Sequence, residues 1–477
     1  MERDTATPAG GLVRGLGLAQ ATALNVANMV GIGPFITIPQ FLECTGGPHA
    51  LIAWVLALFI VACDGLVWSE LGAALPGSGG TYHYLREIFG RHAWGRLVAF
   101  LFVWQFLATA ALETASGYVG AAGFLTYLVP GLAAPWLGGP FTGENFLAAG
   151  AAAVVALALC RSIGSLGRIT LVLCAGTLLT VATVIVAGLL HFDARTLGLG
   201  ESRVVLGWPL ILGLAGSMRI AIYDYLGYYN VCHLGDEVRD PGRTIPRAVL
   251  LSVAVVAAIY LVMNVAIIGV VPWREAMHSQ NVVADFMARI FGGRIAGLFT
   301  VLIIWTALAG LFAMTLGYSR IPYAAARNGD FFGVFGRLHP TGRYPHVSLL
   351  SFGGLVVACC FLDLQMLVEA AVTIRIPMQF VSQIVALHVL RTSRPDVPLP
   401  FRMWLYPIPS LVALAGWVFL LATSSRTQLV VVLLVFLTGC AAFALWSVRG
   451  RPGRRPRRGA AGAPPAGSRS SPAASGR

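Results

Sequence analysis

The chain has 477 residues, 57% hydrophobic and 11% charged, with a mean hydropathy of +0.77. A soluble globular protein carries roughly a quarter charged residues, so too little polar surface is present to cover a soluble particle. The formal net charge of +13 rests on 33 basic residues, all Arg, and their placement argues against a nucleic-acid partner.

Apolar runs near 20 residues predict an all-α membrane protein; barrel strands would alternate over about 10. Twelve spans are expected in chain order: 16–41, 49–71, 94–128, 145–163, 168–190, 207–234, 247–271, 293–325, 346–362, 365–390, 406–424 and 428–447. No cleavable signal is expected, because the first apolar run is long enough to continue as a span.

The loops between the spans carry the orientation. Arg3 and Arg14 precede span one; Arg86, Arg91 and Arg96 follow span two; Arg161 and Arg168 follow span four. Arg239, Arg243 and Arg247 follow span six, Arg320, Arg327, Arg337 and Arg343 span eight, and Arg391, Arg394 and Arg402 span ten. In all, 25 Arg fall on this side, 6 on the other and 2 inside spans, which predicts cytoplasmic termini. The tail 448–477, rich in Arg, Pro, Gly and Ala, cannot bury a core and is expected to be disordered; its basic run suits anionic lipid headgroups.

Eight cysteines, most in apolar spans, show no C-x-x-C pair with partner histidines, so neither a metal nor another cofactor is expected. No Ser-His-Asp or paired-carboxylate arrangement suggests an enzyme. His233, in span six, is expected to be a hydrogen-bonded core residue.

Span one contains "NMVGIGPFITIP". A helix broken in hydrocarbon exposes N–H and C=O groups that cost several kcal/mol each, so a break persists where it lines a cavity or is held by protein. Gly31-Ile32-Gly33-Pro34 reads either as such a break, with free amides that suit a carboxylate, or as a packing kink. Span six carries a second interruption, Leu226-Gly227-Tyr228-Tyr229-Asn230. Paired interruptions in corresponding spans point to a transporter built from an inverted repeat. The expected fold is therefore a five-plus-five repeat with broken helices one and six. Residues 16–190 and 207–390 form the halves and 406–447 two additional helices of a 1–447 transporter domain.

Four segments resemble the amino acid–polyamine–organocation (APC) permease superfamily. Gly31-Ile32-Gly33-Pro34-Phe35 is similar to its G-S-G-I-F, and "SELGAALPGSGGTYHYLREIFG" (69–90) to its motif after span two. "LGYYNVCHLGDEVRDPGRTIPRA" (226–248) and "YSRIPYAAARNGDFF" (318–332) resemble the motifs leaving spans six and eight. The resemblance implies a bacterial inner-membrane permease. The substrate carboxylate would meet amides of Gly31, Ile32 and Gly33. Its ammonium would meet carbonyls of Met29 or Val30 and of Tyr223, Asp224 or Leu226 beside Gly227. Tyr223 would gate the site and Tyr229 contact the substrate. Ile32 departs from the common Ser, and Pro34 lacks an N–H.

Ionisable groups at this depth are functional hypotheses. Asp224 either holds an ammonium, relays a proton or is structural. Arg219 lies about 140° around an ideal helix from Asp224 and is no automatic partner. Arg375 either binds an acidic substrate or neutralises Asp224, Glu369 or Glu113. Glu113, Trp104 and Trp305 are expected to line the tail pocket. Asp64 and Glu70 read as gate or fold elements. Thr177 and Thr180 serve a Na⁺ site or bond the backbone. The acidic pair Asp236 and Glu237, with Arg320 and Arg327, forms either an inner gate or local capping. The expected function is amino acid transport by alternating access, with H⁺ the candidate coupling ion; the alternatives are a polyamine or amine carrier, and a membrane sensor that does not transport.

Overall fold

The computed structural model describes residues 14–31, 33–90, 94–136, 140–160, 163–198, 207–279, 281–340 and 344–449, with no side-chain account of residues 127, 163–171 and 174. Arg3, Ile32, Arg91, Arg161, Arg343 and the tail from 450 onward lie outside the described residues, and the Arg168 side chain is likewise not described. Everything regular among the described residues is helical.

Span one is three pieces, α1 (Leu18–Met29), α2 (Gly33–Ile36) and α3 (Ile38–Thr45). Pro34 lies in the first turn of α2, where a missing N–H breaks no intrahelical bond. Across Thr37 the path bends by 62°. There follow α4 (Ala50–Ala74), the short amphipathic α5 (Thr81–Phe89), α6 (Gly95–Leu128), α7 (Gly143–Ala158) and α8 (Ile163–Leu190).

The second half opens with α9 (Trp208–Tyr225). It does not resume as an α-helix after its interruption. Residues Asn230–His233 and Gly235–Glu237 are single 3₁₀ turns, a tighter winding than the continuous span expected over 207–234. Close backbone approach explains this: a Cβ on Gly235 would sit 2.6 Å from main-chain atoms of Gly77. Next come α10 (Pro241–Ile268), α11 (Trp273–Ala276), α12 (Val282–Phe291), α13 (Gly293–Tyr318), α14 (Arg320–Arg327) and α15 (His346–Cys359). Then α16 (Leu364–Arg375) runs through a π-helical turn, Ile376–Val381, into α17 (Ser382–Ser393), and α18 (Ile408–Ala422) and α19 (Arg426–Arg449) follow. The wide turn coincides with Pro377, which cannot donate the usual i→i−4 bond.

Among the described residues, six helical stretches are long and apolar enough to cross a membrane: Ala50–Ala74, Gly95–Thr126, Pro241–Ile268, Gly293–Arg327, Leu364–Ser393 and Arg426–Val448. The bent first segment makes a seventh if counted as one span, and α7, the Ala175–Leu190 part of α8, α15 and α18 are shorter apolar helices. The large apolar side chains that α19 exposes are Leu and Val, as suits a lipid-facing helix.

Two groups of helices enclose the centre. The first piece α1 packs on α10, and α4 packs on both α9 and α10; opposite them α6 packs on α13 and α16. The motif segments after spans two, six and eight converge at the Arg-rich face. Tyr82 Oη and Arg86 Nε donate to Asp330 at 2.8 and 2.7 Å, and Ser78 N donates to Asp236 at 2.9 Å. The strand-like run before α1 pairs with the exit of span six: Gly15 and Leu16 amides donate to Glu237 O, and Arg239 N donates to Leu16 O, each at 2.9 Å.

Fully buried Glu70 anchors this end of α4. Both its oxygens accept from Arg391 at 2.6 Å, and one also accepts from the Met403 amide at 2.7 Å. Breaking a buried pair by removing one partner leaves an uncompensated charge. Glu70→Ala should therefore destabilise the protein by about 3 kcal/mol, read as a lowered melting temperature in detergent, whereas Glu70→Met with Arg391→Met should recover most of the loss.

Candidate functional site

The two interruptions face each other across a cavity of about 40 Å³, room for roughly three waters. Asn28, Met29, Gly31 and Gly33 of span one line it, with Tyr223, Asp224 and Leu226 of span six. Glu113 and Gly117 of α6 and Ala307, Gly310, Leu311 and Met314 of α13 complete the wall.

Backbone released at the breaks is held by side chains that the sequence reading did not single out. Asn25 Nδ2 donates to Tyr228 O at 2.6 Å, and its Oδ1 accepts from Val231 N at 2.9 Å. One amide thus satisfies one carbonyl and one N–H of the unwound part of span six. Tyr260 Oη, on α10, lies 2.5 Å from Met29 O and 3.2 Å from Asp224 O, tying together the carbonyls that end α1 and α9. The Met29 carbonyl expected to face an ammonium already has this partner. The Gly31 amide, expected to be free for a carboxylate, donates to Met29 O at 2.9 Å.

Asp224 is 2% exposed. Its Oδ2 accepts from Thr37 Oγ1 at 2.6 Å, and its Oδ1 has no hydrogen-bond partner. That bare oxygen lies where a Cβ on Gly33 would be, 2.3 Å from the ideal position. Asn28, 5% exposed, has no partner on either amide atom. It presses on Gly227, whose φ of +113° and 2.4 Å clearance to Asn28 Nδ2 admit only glycine. Gly310 is a close approach of another kind, since a Cβ there would meet Gly31 Cα at 3.2 Å. Tyr223 reaches over the cavity to Ser116, 2.7 Å between hydroxyls.

Arg375 is fully buried and pairs with Glu113, not with Asp224 or Glu369. Tyr318 Oη donates to the same Glu113 oxygen at 2.9 Å, and Arg375 Nη1 donates to Tyr229 Oη at 3.2 Å. The guanidinium lies 5.6 and 5.7 Å from the ring centres of Phe106 and Tyr318. Tyr229 stacks on Trp68 with centroids 4.5 Å apart and stands behind the cavity wall, as does buried Val30.

Arg219 is apart from the cavity. Its guanidinium donates to Thr423 Oγ1 at 3.2 Å and shares a small cleft with Glu369. Two expected lining residues face elsewhere. Trp104 donates to Thr438 on α19 at 3.3 Å, and Trp305 is 42% exposed and covers Gly176 on α8. Helical phase explains the error, because Ala307, Gly310, Leu311 and Met314 form the inward stripe of α13 and Trp305 falls outside it. Asp64 accepts from Tyr228 at 2.5 Å and Trp417 at 3.2 Å, joining α4, the second break and α18. His233 is packed among Trp68, Phe106, Tyr229 and Tyr318, with neither ring nitrogen hydrogen-bonded; aromatic edges take the place of the polar partner expected. Thr180 bonds Gly176 O at 2.9 Å, and Thr177 Oγ1 has no partner.

Comparison with known proteins names the family of the chain. A profile described as amino acid permease matches residues 16–449. The chain belongs to the amino acid permease family. It is 27% identical over 448 residues to the human large neutral amino acids transporter small subunit 2, covering 90% of this chain and 79% of that one. It is 27% identical to the human Asc-type amino acid transporter 1, covering 91% and 82%. It is 23% identical to the branched-chain amino acid permease BcaP of Bacillus subtilis (strain 168), covering 91% and 93%. The permease is thus an integral membrane protein of the APC superfamily, and its family and relatives are transporters rather than enzymes.

The tight contact of Gly33 with Asp224 gives a test of the site's geometry. Gly33→Ala should cost about 1–3 kcal/mol of stability by overpacking, measured by thermal unfolding. Gly33→Ala combined with Asp224→Ala should regain most of it. A single variant as stable as wild type would remove the contact from the account.

Proposed function

We propose that the permease is a secondary active transporter that moves an amino acid across the bacterial inner membrane by alternating access. In this reading both termini are cytoplasmic, twelve spans form a five-plus-five inverted repeat with two further helices, and the substrate head binds between the breaks. The observation that carries it is the cavity at the meeting of both interruptions, with Asn28 and Asp224 presenting unpartnered polar atoms. Buried polar atoms without partners are rare and costly, and a ligand head group would supply the missing bonds. The pairing of the segment before α1 with the exit of span six, and the Asp330 cluster, would close the cytoplasmic side in this state. Tyr223, held by Ser116, would close the outer side.

One observation favours a second reading, a carrier of organic amines. The bare Asp224 oxygen is packed against Gly33, in the place where a substrate carboxylate would be cradled, and it would repel that carboxylate while attracting an ammonium.

Counterflow in liposomes with a panel of amino acids and amines separates the readings. The primary reading expects a neutral or dibasic amino acid to exchange, with uptake reduced at least tenfold in Asp224→Asn. Competition by putrescine alone would favour the amine carrier. Binding without flux would make the protein a sensor.

A further inference from the structure

Asp224 differs from Asp64, Glu70 and Glu113, the acids buried in α4 and α6. Glu113 has Arg375, Glu70 has Arg391, and Asp64 has two hydrogen-bond donors on separate oxygens. Asp224 has one hydroxyl, on one oxygen. The titratable groups facing it are Tyr223 and Tyr225 on its own helix, Tyr260 on α10 and Glu113 across the cavity on α6. Arg375 stands behind Glu113 and is committed to it. Among the described residues no Arg or His forms an ion pair with Asp224.

An ionised carboxylate in this setting is an uncompensated charge, and carrying the cavity across an apolar medium in that state is expensive. Two species neutralise it: a proton on the carboxylate, or an ammonium against it. A zwitterion of zero net charge does neither, since with ionised Asp224 the complex keeps one negative charge. With protonated Asp224, its ammonium has no anion to meet. Asn28 supplies the independent sign of a ligand. It is 5% exposed, has two unpartnered polar atoms and borders the same cavity, so it can bond the uncharged or anionic part of the molecule held by Asp224.

We propose that Asp224 holds a proton when the cavity is empty and the ammonium of an organic monocation when it is full, so that the permease exchanges one proton for one cation. This rests on the transporter reading and names its substrate class: a molecule of net charge +1, either a dibasic amino acid or an amine without a carboxylate. The balance is R–NH₃⁺ plus Asp–COOH giving the ammonium–carboxylate pair plus one H⁺, released on the side from which the cation entered. Both forms of the loaded site are then neutral, and neither half of the cycle moves net charge.

Two measurements test this. Purified protein in weakly buffered detergent near pH 7 is titrated with leucine, lysine and isopentylamine, three ligands that differ in net charge and in the presence of a carboxylate. Lysine or isopentylamine, but not leucine, should bind with release of close to one proton per site. Lysine alone identifies a dibasic amino acid, and isopentylamine alone an amine. In liposomes one pH unit more acidic inside, lysine should accumulate about tenfold at clamped zero potential, as one-for-one linkage requires; for isopentylamine, whose neutral form reaches the same ratio without protein, the initial rate of uptake should exceed that of protein-free liposomes and fall to it in Asp224→Asn. Asp224→Asn should abolish proton release and pH-driven accumulation, while Asp224→Glu should retain proton release and so report that loss is not misfolding. Leucine flux that ignores the pH gradient but falls at least tenfold in Asp224→Asn would overturn this proposal and leave the transporter reading standing. Cation binding to wild type without proton release would also overturn it. Binding without flux of any ligand in the panel would overturn both.

Discussion

Main-chain groups released in an apolar interior must find partners, and this requirement organises the centre of the permease. Tyr260 meets it for two carbonyls at once, Met29 O and Asp224 O, although these belong to different halves of the chain. Asn25 meets it for Tyr228 O and Val231 N. Each break is therefore secured by a side chain from a different segment. The cavity exists because the two unwound segments are held side by side, with α13 brought close at Gly310.

The same economy governs charge. A buried ion pair contributes little net stability, yet losing one partner is costly. The Glu113–Arg375 pair, with Tyr229 and Tyr318 on its free atoms, is a neutral unit that joins α6, α13 and α16 to the unwound part of span six. Glu70 and Arg391 do the same at the Arg-rich end. With these acids neutralised, the field in the cavity is set by Asp224. The resemblance that identifies the family supplies no role for a carboxylate at this position. Family membership and substrate charge are therefore separate questions in this chain, the first carried by motifs at the Arg-rich face and the second by one side chain.

Much of this was legible in the sequence. Glycine and proline clusters marked both breaks, since glycine admits φ values and approaches that other residues do not, and proline removes a donor. Asp224 stood out as an acid three residues before Gly227. The stabilising partners were harder to see. Asn25 and Asn28, three residues apart on α1, mark a polar stripe on one helix face. Tyr260 and Thr37 carried no such signal, because a lone Tyr or Thr in a span has many ordinary uses. Trp305 falls outside the inward stripe of α13, and Trp104 turns to Thr438 on α19. The 3₁₀ turns after Tyr229 depend on Gly77 and Gly235 approaching from distant parts of the chain, a tertiary fact with no local pattern.

The bond of Tyr260 to both breaks constrains any motion that opens the cavity. Separating α1 from α9 would take one of the two carbonyls away from the Tyr260 hydroxyl. Separating α1 from α10 would leave Met29 O with the Gly31 amide alone. Those helices and α4, which packs on both α9 and α10, are thus bound to move together. The surfaces free to part are those facing α6, α13 and α16, and there the ties are fewer: Tyr223 with Ser116, and Tyr229 with Arg375. Both ties are hydroxyl contacts from span six to the helices opposite.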